Sequence, residues 1–167
     1  MKKLNLLKTI VDFVWIMSLI CFPLIMLFTI MILIDNETID IPIHFAAGTV
    51  DLSNNFGKIA LVINVINFGL LLYALYFFRR LLTRFTKRMI FEEEICSLLD
   101  KIGNLVIIAA IVQFVSDFFT KISIDKTGIE FGYGPFLYLL ALGLFFKVLS
   151  EVFKIAKTMK EENELTI

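Results

Sequence analysis

Four long apolar runs constrain the fold of this chain more than any other feature of its sequence. They occupy residues 13–34, 59–78, 102–119 and 135–153. A helix needs about 20 such residues to cross the roughly 30 Å hydrocarbon layer of a bilayer. Lipid offers no partner to an unpaired backbone N–H or C=O group, so a spanning segment must satisfy its own backbone. The runs therefore predict an all-α integral membrane protein with four transmembrane helices.

The composition agrees with this class. Of the 167 residues, 59% are hydrophobic, whereas a soluble domain has about 45–50% apolar residues. We expect one four-span membrane domain over residues 1–167. The predicted segments are spans at 11–34, 59–80, 101–119 and 135–158, outer loops at 35–58 and 120–134, an inner loop at 81–100 and a cytoplasmic helical tail at 154–167.

Basic residues are distributed unevenly along the chain. Twelve of the sixteen Lys and Arg residues lie before the first run, between the second and third, or after the fourth. Three lie in the other two loops, and Lys147 lies inside a run. The positive-inside rule then predicts that both termini are cytoplasmic.

Both predicted outer loops carry the two-residue alternation of a half-buried strand. Residues 39–45 alternate Ile or Phe with polar residues and Pro42, and residues 121–131 do so around an Asp-Lys-Thr-Gly turn. Gly128 suits the left-handed position that closes such a turn. We expect a small extracytoplasmic β-hairpin or sheet from the two outer loops, and the alternative is two irregular loops with chance alternation.

Polar residues inside the spans are the first candidates for a site. At 1.5 Å per residue, Asn67 lies about 12 Å and Gln113 about 9 Å below the outer ends of their spans. Asn64 and Asp117 form a second, shallower candidate pair. These residues predict hydrogen bonds between helices, and the alternative is a polar cavity for an ion or a small ligand.

Lys147 and Glu151 lie one helical turn apart near the inner end of the fourth span. A Lys stem can extend along apolar surface while its ammonium group reaches water. The spacing predicts an ion pair, either at the membrane interface or buried and facing the other helices.

Apolar residues continue at helical spacing beyond the second and fourth spans. We expect the fourth helix to continue to about residue 160 and to pack on residues 79–91, while a second copy and a partner protein remain alternative occupants. The candidate docking residues are Leu82, Phe85, Met89, Val152, Ile155 and Met159. The basic residues of the inner loop are candidates for binding anionic lipid.

Catalytic patterns are absent from the sequence. His44 is the only histidine, and Cys21 and Cys96 fall in different predicted layers. No phosphate-binding glycine loop, nucleophile elbow or zinc motif occurs. We therefore expect no catalytic site, no metal or cofactor and no direct nucleic acid binding.

Two segments resemble an uncharacterised family of small bacterial four-helix membrane proteins. They are FTKRMIFEEEICSLLDKIG at 85–103 and GPFLYLLALGLFFKVLSEVFKIAKTMKEENELTI at 134–167, with the LxEVF-like stretch and the ENELTI ending. The chain has Arg88 where members usually have Gly, and Ile95 where they usually have Asn. The resemblance implies a domain of unknown function in the bacterial cytoplasmic membrane, often encoded beside a helix-turn-helix regulator.

These observations together predict a non-enzymatic membrane protein. A regulatory, sensing or accessory subunit that acts through protein or lipid contacts, as a homo-oligomer or with a membrane protein partner, fits them best. The alternative is an oligomeric unit for small-solute or ion transport, which would need several copies because four spans enclose little space.

Overall fold

Four long helices make up most of the computed structural model. They are α1 (Lys2–Ile34), α2 (Asn55–Thr86), α3 (Glu93–Ser123) and α4 (Pro135–Glu164). The structure describes residues 2–34, 43–45, 48–50, 52, 54–87, 89, 92–123 and 135–164. Each helix is long and apolar enough to cross a membrane. At 30 to 33 residues, each is about 45–50 Å long and exceeds the hydrocarbon thickness.

Local sequence explains where these helices begin. The Asn54 side chain accepts a hydrogen bond from the Phe56 backbone N–H at 3.2 Å and caps α2, which satisfies a donor that the helix itself cannot. Glu93 and Glu94 occupy the first turn of α3, where negative charge complements the helix dipole. Pro135 is the first residue of α4, the position at which its missing N–H costs nothing.

The expectation of a hairpin or sheet built by the two outer loops is wrong. Residues 121–123, the start of the predicted hairpin, continue α3. They do so because Thr120 and Ser123 lie on the buried helix face that also carries Ser116, and each added helical residue gains a backbone hydrogen bond. In the first loop, Ile43–Phe45 (β1) and Gly48–Val50 (β2) pair only with each other among the described residues. The rest of the two segments, 39–42 and 124–131, lies outside the described residues.

The helices follow one another in space as they do along the chain. α1 packs on α2, α2 on α3, and α3 on α4. α2 and α4 also meet through two ring contacts, Phe78 with Phe146 and Phe85 with Phe153. Half of the most apolar segment of α3 is buried, against 11% for α1 and α4. α3 is therefore the central helix, and α1 and α4 present broad apolar faces to their surroundings.

The chemistry of packing changes along the helices. Toward the predicted outer side the fully buried positions are small or polar, namely Ala60, Ala109, Ala110, Ser116 and Thr120. Toward the predicted inner side the core is large and apolar, with Leu81, Ile95, Leu98, Leu99 and Ile102. Helices in lipid associate through close approach and hydrogen bonds, whereas water drives the burial of large apolar side chains. The inner parts of α2, α3 and α4 thus pack as a water-soluble bundle does, and we call residues 79–86, 93–102 and 148–164 the helical extension.

Candidate functional site

A row of hydrogen bonds joins α2 to α3 within the apolar segments. Asn67 Nδ2 donates to Gln113 Oε1 at 2.7 Å, and Gln113 Nε2 donates to Asp117 Oδ1 at 2.9 Å. Both residues are buried, since Asn67 is only 3% exposed and Gln113 is 9% exposed. Three of the four predicted polar residues are therefore brought together, and Asn67 and Gln113 meet as their similar predicted depths allow.

Asn64 bonds to a residue that the sequence analysis did not single out. Its Nδ2 donates to Ser116 Oγ and to the Ala60 carbonyl, the latter at 3.0 Å. Asp117 instead accepts from Gln113, so the second predicted contact, between Asn64 and Asp117, is not the one observed. Ser116 follows Gln113 by three residues, and that spacing on one helix face was the signal that could have identified it.

The members of this polar row bond chiefly to one another. Asn67 Oδ1 is buried and accepts no hydrogen bond from the described residues. Among the described residues, no group of three His, Cys, Asp or Glu side chains could hold a metal ion. The arrangement can hold α2 against α3, and interhelical hydrogen bonds of this kind contribute about 0.6 kcal/mol each in membrane proteins.

Lys147 forms an ion pair with α3 rather than with its neighbour on α4. Its Nζ lies 2.6 Å from Asp100 Oδ1, and Asn104 Nδ2 donates to Asp100 Oδ2 at 3.1 Å. Glu151 binds Lys154 at 2.7 Å. The Lys147–Glu151 pairing expected from spacing is therefore replaced by a contact between residues 47 positions apart.

Two glycines allow this contact by bringing α3 and α4 close together. A Cβ atom added to Gly143 would lie 2.6 Å from Ile107 Cγ1, and one added to Gly103 would lie 2.9 Å from Lys147 Cγ. The Lys147 stem therefore passes directly over Gly103, and its ammonium group reaches Asp100.

Ion pairs also connect the helical extension. Arg80 and Arg84 of α2 both lie 2.5 Å from Glu94 of α3, and Lys157 of α4 lies 3.8 Å from Glu93. These groups are partly exposed, so each pair contributes little stability by itself. Arg84 also lies 3.8 Å from Glu92, so each of the three consecutive glutamates at the start of α3 has a basic partner on α2 or α4.

The contact between α1 and α2 includes a cluster that sequence reasoning missed. Asp12 forms an ion pair with Arg79, and the Arg79 guanidinium lies 4.8 Å from the centre of the Trp15 ring. Arg over Trp is the most favourable type of cation–π contact. A lone acid at the start of an otherwise apolar run was the available signal.

The predicted docking residues separate into two groups. On the α2 side, Leu82 is buried in the interior of the extension, and the Phe85 ring stacks on Phe153 with centroids 5.9 Å apart. Met89 follows the end of α2 and is exposed. α4 does pack near the end of α2, but it does so through Phe153.

The α4 side of the predicted contact points away from the bundle. Val152, Ile155 and Met159 are 55%, 60% and 65% exposed, so the expectation that they pack on residues 79–91 is wrong. Ser150 takes the inner position instead, and its Oγ donates to the Cys96 carbonyl at 2.8 Å. The small Ser150 and the large Phe153 fit the surface of α3 and α2, which turns the aliphatic residues outward.

Comparison with known proteins identifies the family of this chain but not its function. No curated protein and no solved structure matches the chain. A family model described as "Protein of unknown function (DUF2975)" matches residues 3–167, and the four membrane-capable helices fit a family of small four-helix membrane proteins. The chain belongs to the DUF2975 family, whose function is unknown.

Proposed function

We propose that this protein is a non-enzymatic membrane component, regulatory or accessory, that acts through protein contacts made by its helical extension. One observation carries the proposal. The α4 stripe, defined as Val148, Val152, Ile155 and Met159, is at least half exposed at every position. It begins next to the Lys147–Asp100 ion pair, near the inner end of the apolar run 135–153, and continues beyond that run.

An apolar stripe in that position is stable only when another surface buries it. Charged neighbours flank it, because Glu151 and Lys154 are exposed and pair with each other beside it. The stripe starts inside the apolar run 135–153 and ends at Met159, six residues or about 9 Å of helix beyond that run, so we place Ile155 and Met159 outside the hydrocarbon layer. Exposed apolar surface of this kind marks interaction sites in soluble regions.

The membrane orientation is part of the same proposal. We place the protein in the bacterial cytoplasmic membrane with both termini and the helical extension in the cytoplasm. The charge asymmetry of the loops supports this, and so does the change from small, polar packing to large apolar packing along α2 and α3. Labelling of a Thr127→Cys variant from outside intact cells tests the orientation, and labelling only after permeabilisation would contradict it.

A photo-crosslinking amino acid on the α4 stripe tests the contact function. Ile155 is exposed, so a benzoyl-phenylalanine there leaves the described core untouched. Glu161, also exposed, is the matched control, because six residues place it about 120° around the helix from Ile155. We expect protein adducts in living cells from position 155 and few from position 161. Equal yields at both positions, or adducts at neither, would contradict the proposal.

The transport alternative stays a prediction. The described polar side chains of the apolar segments bond to one another, as Asn67, Gln113 and Asp117 do. Ion flux through liposomes that contain the purified protein, abolished by Asn67→Leu, would favour transport over the contact function.

A further inference from the structure

The cluster of Asp12, Trp15 and Arg79 holds a guanidinium group in a fixed orientation at the edge of the apolar segments. Arg79 Nε donates to Asp12 Oδ1, and the guanidinium carbon lies 4.8 Å from the centre of the Trp15 ring. A basic side chain that only anchors a helix extends its charge into water, whereas Arg79 lies over a ring of the neighbouring helix. We call this cluster the α1–α2 site.

The α1–α2 site has unused hydrogen-bonding groups of both kinds. An arginine carries five N–H donors, and an aspartate carries two acceptor oxygens. Among the described residues, Arg79 donates through Nε alone, and Asp12 accepts through Oδ1 alone. The Arg79 side chain is 37% exposed and that of Asp12 is 27% exposed. A ligand can therefore reach the two Nη groups and the second carboxylate oxygen from outside the helices.

The acid and the base of this site lie in a defined order across the membrane boundary. Asp12 is the last residue before the apolar run 13–34, whereas Trp15 lies inside that run. Three residues of helix correspond to about 4.5 Å. Because the guanidinium lies over the Trp15 ring, we place the carboxylate on its water side.

That order matches one class of phospholipid headgroup. In phosphatidylethanolamine the phosphate is bonded to the glycerol, and a primary ammonium group ends the headgroup on the water side. Guanidinium N–H groups match the oxygens of a phosphate, so a phosphate oxygen would accept from the Arg79 Nη groups. The ammonium group would donate to the second oxygen of Asp12. The Asp12–Arg79 pair carries no net charge, and a zwitterion complements it at both ends.

Exposed aromatic rings continue the site toward the membrane interior. The Tyr76 ring centre lies 6.4 Å from that of Trp15, and the Tyr73 ring stacks on Tyr76 at the same distance. Tyr73 is 52% exposed and Tyr76 is 40% exposed. Tyr and Trp rings favour the level of the lipid headgroups. These rings therefore offer a surface to the glycerol and to the upper part of an acyl chain.

We propose that the α1–α2 site binds a phospholipid whose headgroup carries a phosphate and a primary ammonium group, as phosphatidylethanolamine does. Arg79 binds the phosphate, Asp12 binds the ammonium group, and Tyr73 and Tyr76 contact the glycerol and acyl chains. In the proposed orientation this lipid belongs to the cytoplasmic leaflet. The inference goes beyond the contact function, because it concerns α1 and α2 rather than the α4 stripe, and each can fail without the other.

The fluorescence of Trp15 tests the site directly, because Trp15 is the only tryptophan of the chain. Bromine atoms on an acyl chain quench a tryptophan that the lipid contacts. The full-length protein is placed in phosphatidylcholine vesicles that contain brominated phosphatidylethanolamine, phosphatidylcholine or phosphatidylglycerol. Phosphatidylcholine is the matched lipid, since it carries the same charges but no N–H group. We expect phosphatidylethanolamine to bind about threefold more tightly than the other two, as one partly exposed ion pair allows.

Two variants separate this site from general membrane electrostatics. Asp12→Asn keeps the shape of the side chain but leaves the charge of Arg79 uncompensated, so phosphatidylglycerol should now bind best. Loss of the fold would not reverse a lipid preference in this way, and circular dichroism checks the helix content. Arg80→Gln is the control, because Arg80 is the next residue and pairs with Glu94 instead. We expect it to keep the preference of the parent.

Three results would overturn the inference. The first is equal quenching by the three lipids in the parent, and the second is the parent's order of preference in Asp12→Asn. The positive charge of Lys8, one turn before Asp12, would produce the third, a preference of the parent for phosphatidylglycerol. Glycerophosphoethanolamine in the buffer carries the same headgroup without acyl chains. We expect it to leave the quenching unchanged, and displacement of the brominated lipid would show that the ligand is a soluble phosphate compound and not a lipid.

Discussion

The close approach of α3 and α4 predicts a large effect from a single methyl group. A Cβ atom on Gly143 would lie 2.6 Å from Ile107 Cγ1 and 3.1 Å from both the Gly103 carbonyl oxygen and the Ile107 backbone nitrogen. Two of these three atoms belong to the backbone and cannot rotate away. Gly143→Ala should therefore push the two helices apart.

Gly69 of α2 provides the matched comparison. A Cβ atom there meets only the Phe22 ring of α1, at 3.5 Å, an ordinary van der Waals contact. Replacing a helical Gly by Ala stabilises a helix by about 1 kcal/mol when space permits. Overpacking a tight contact costs about 1–3 kcal/mol. Gly143→Ala should thus lower the free energy of unfolding by up to about 2 kcal/mol, while Gly69→Ala should raise it by about 0.5–1 kcal/mol.

Reversible unfolding in mixed detergent micelles measures these free energies. The variant Ile107→Ala removes the Cγ1 atom that the new methyl group meets, so Gly143→Ala should cost less in that background. Contacting residues commonly show coupling of about 0.5–3 kcal/mol in such a cycle. If Gly143→Ala stabilises the protein as much as Gly69→Ala does, the close crossing of α3 and α4 is not present and the reasoning is refuted.

Three further predictions concern contacts between helices. In a double-mutant cycle, Asn67→Leu and Gln113→Leu should show a coupling of about 0.6 kcal/mol in the free energy of unfolding, and additive effects would mean that the 2.7 Å hydrogen bond does not form. Arg79→Lys keeps the charge that pairs with Asp12 but weakens the stacking on the Trp15 indole. Protease should therefore cleave α1 faster in this variant than in the parent, and an unchanged cleavage rate would argue against the cluster of Asp12, Trp15 and Arg79. Ser150→Ala removes a buried hydrogen bond to α3 and should cost about 0.5–1.5 kcal/mol, whereas no change in stability would show that this bond does not hold α4 on α3.

Several features of this protein follow from the sequence alone because they depend on neighbouring residues or on the solvent. Four apolar runs predict four membrane-capable helices, since lipid admits little else. The hydrogen bond between Asn67 and Gln113 could be predicted because the helix rise fixes the depth of each residue. The continuation of α2 and α4 beyond their apolar segments was equally visible in the three- to four-residue spacing of their apolar residues.

Other features depend on residues distant in the chain, and only the tertiary structure decided them. Residues 121–123 alternate like a strand, yet they are helical because Ser123 belongs to the buried face of α3. Lys147 binds Asp100 rather than Glu151, because two glycines bring α3 within reach of the Lys stem.

The sequence also could not predict which side of α4 packs against α2 and α3. Its two sides both carry apolar residues at helical spacing, and the pattern by itself does not rank them. The fit of Ser150 against α3 and of Phe153 against Phe85 decides the matter, because shape complementarity depends on the partner surface. As a result Val152, Ile155 and Met159 face outward, and the residues predicted to hold the fold together became the candidate contact surface.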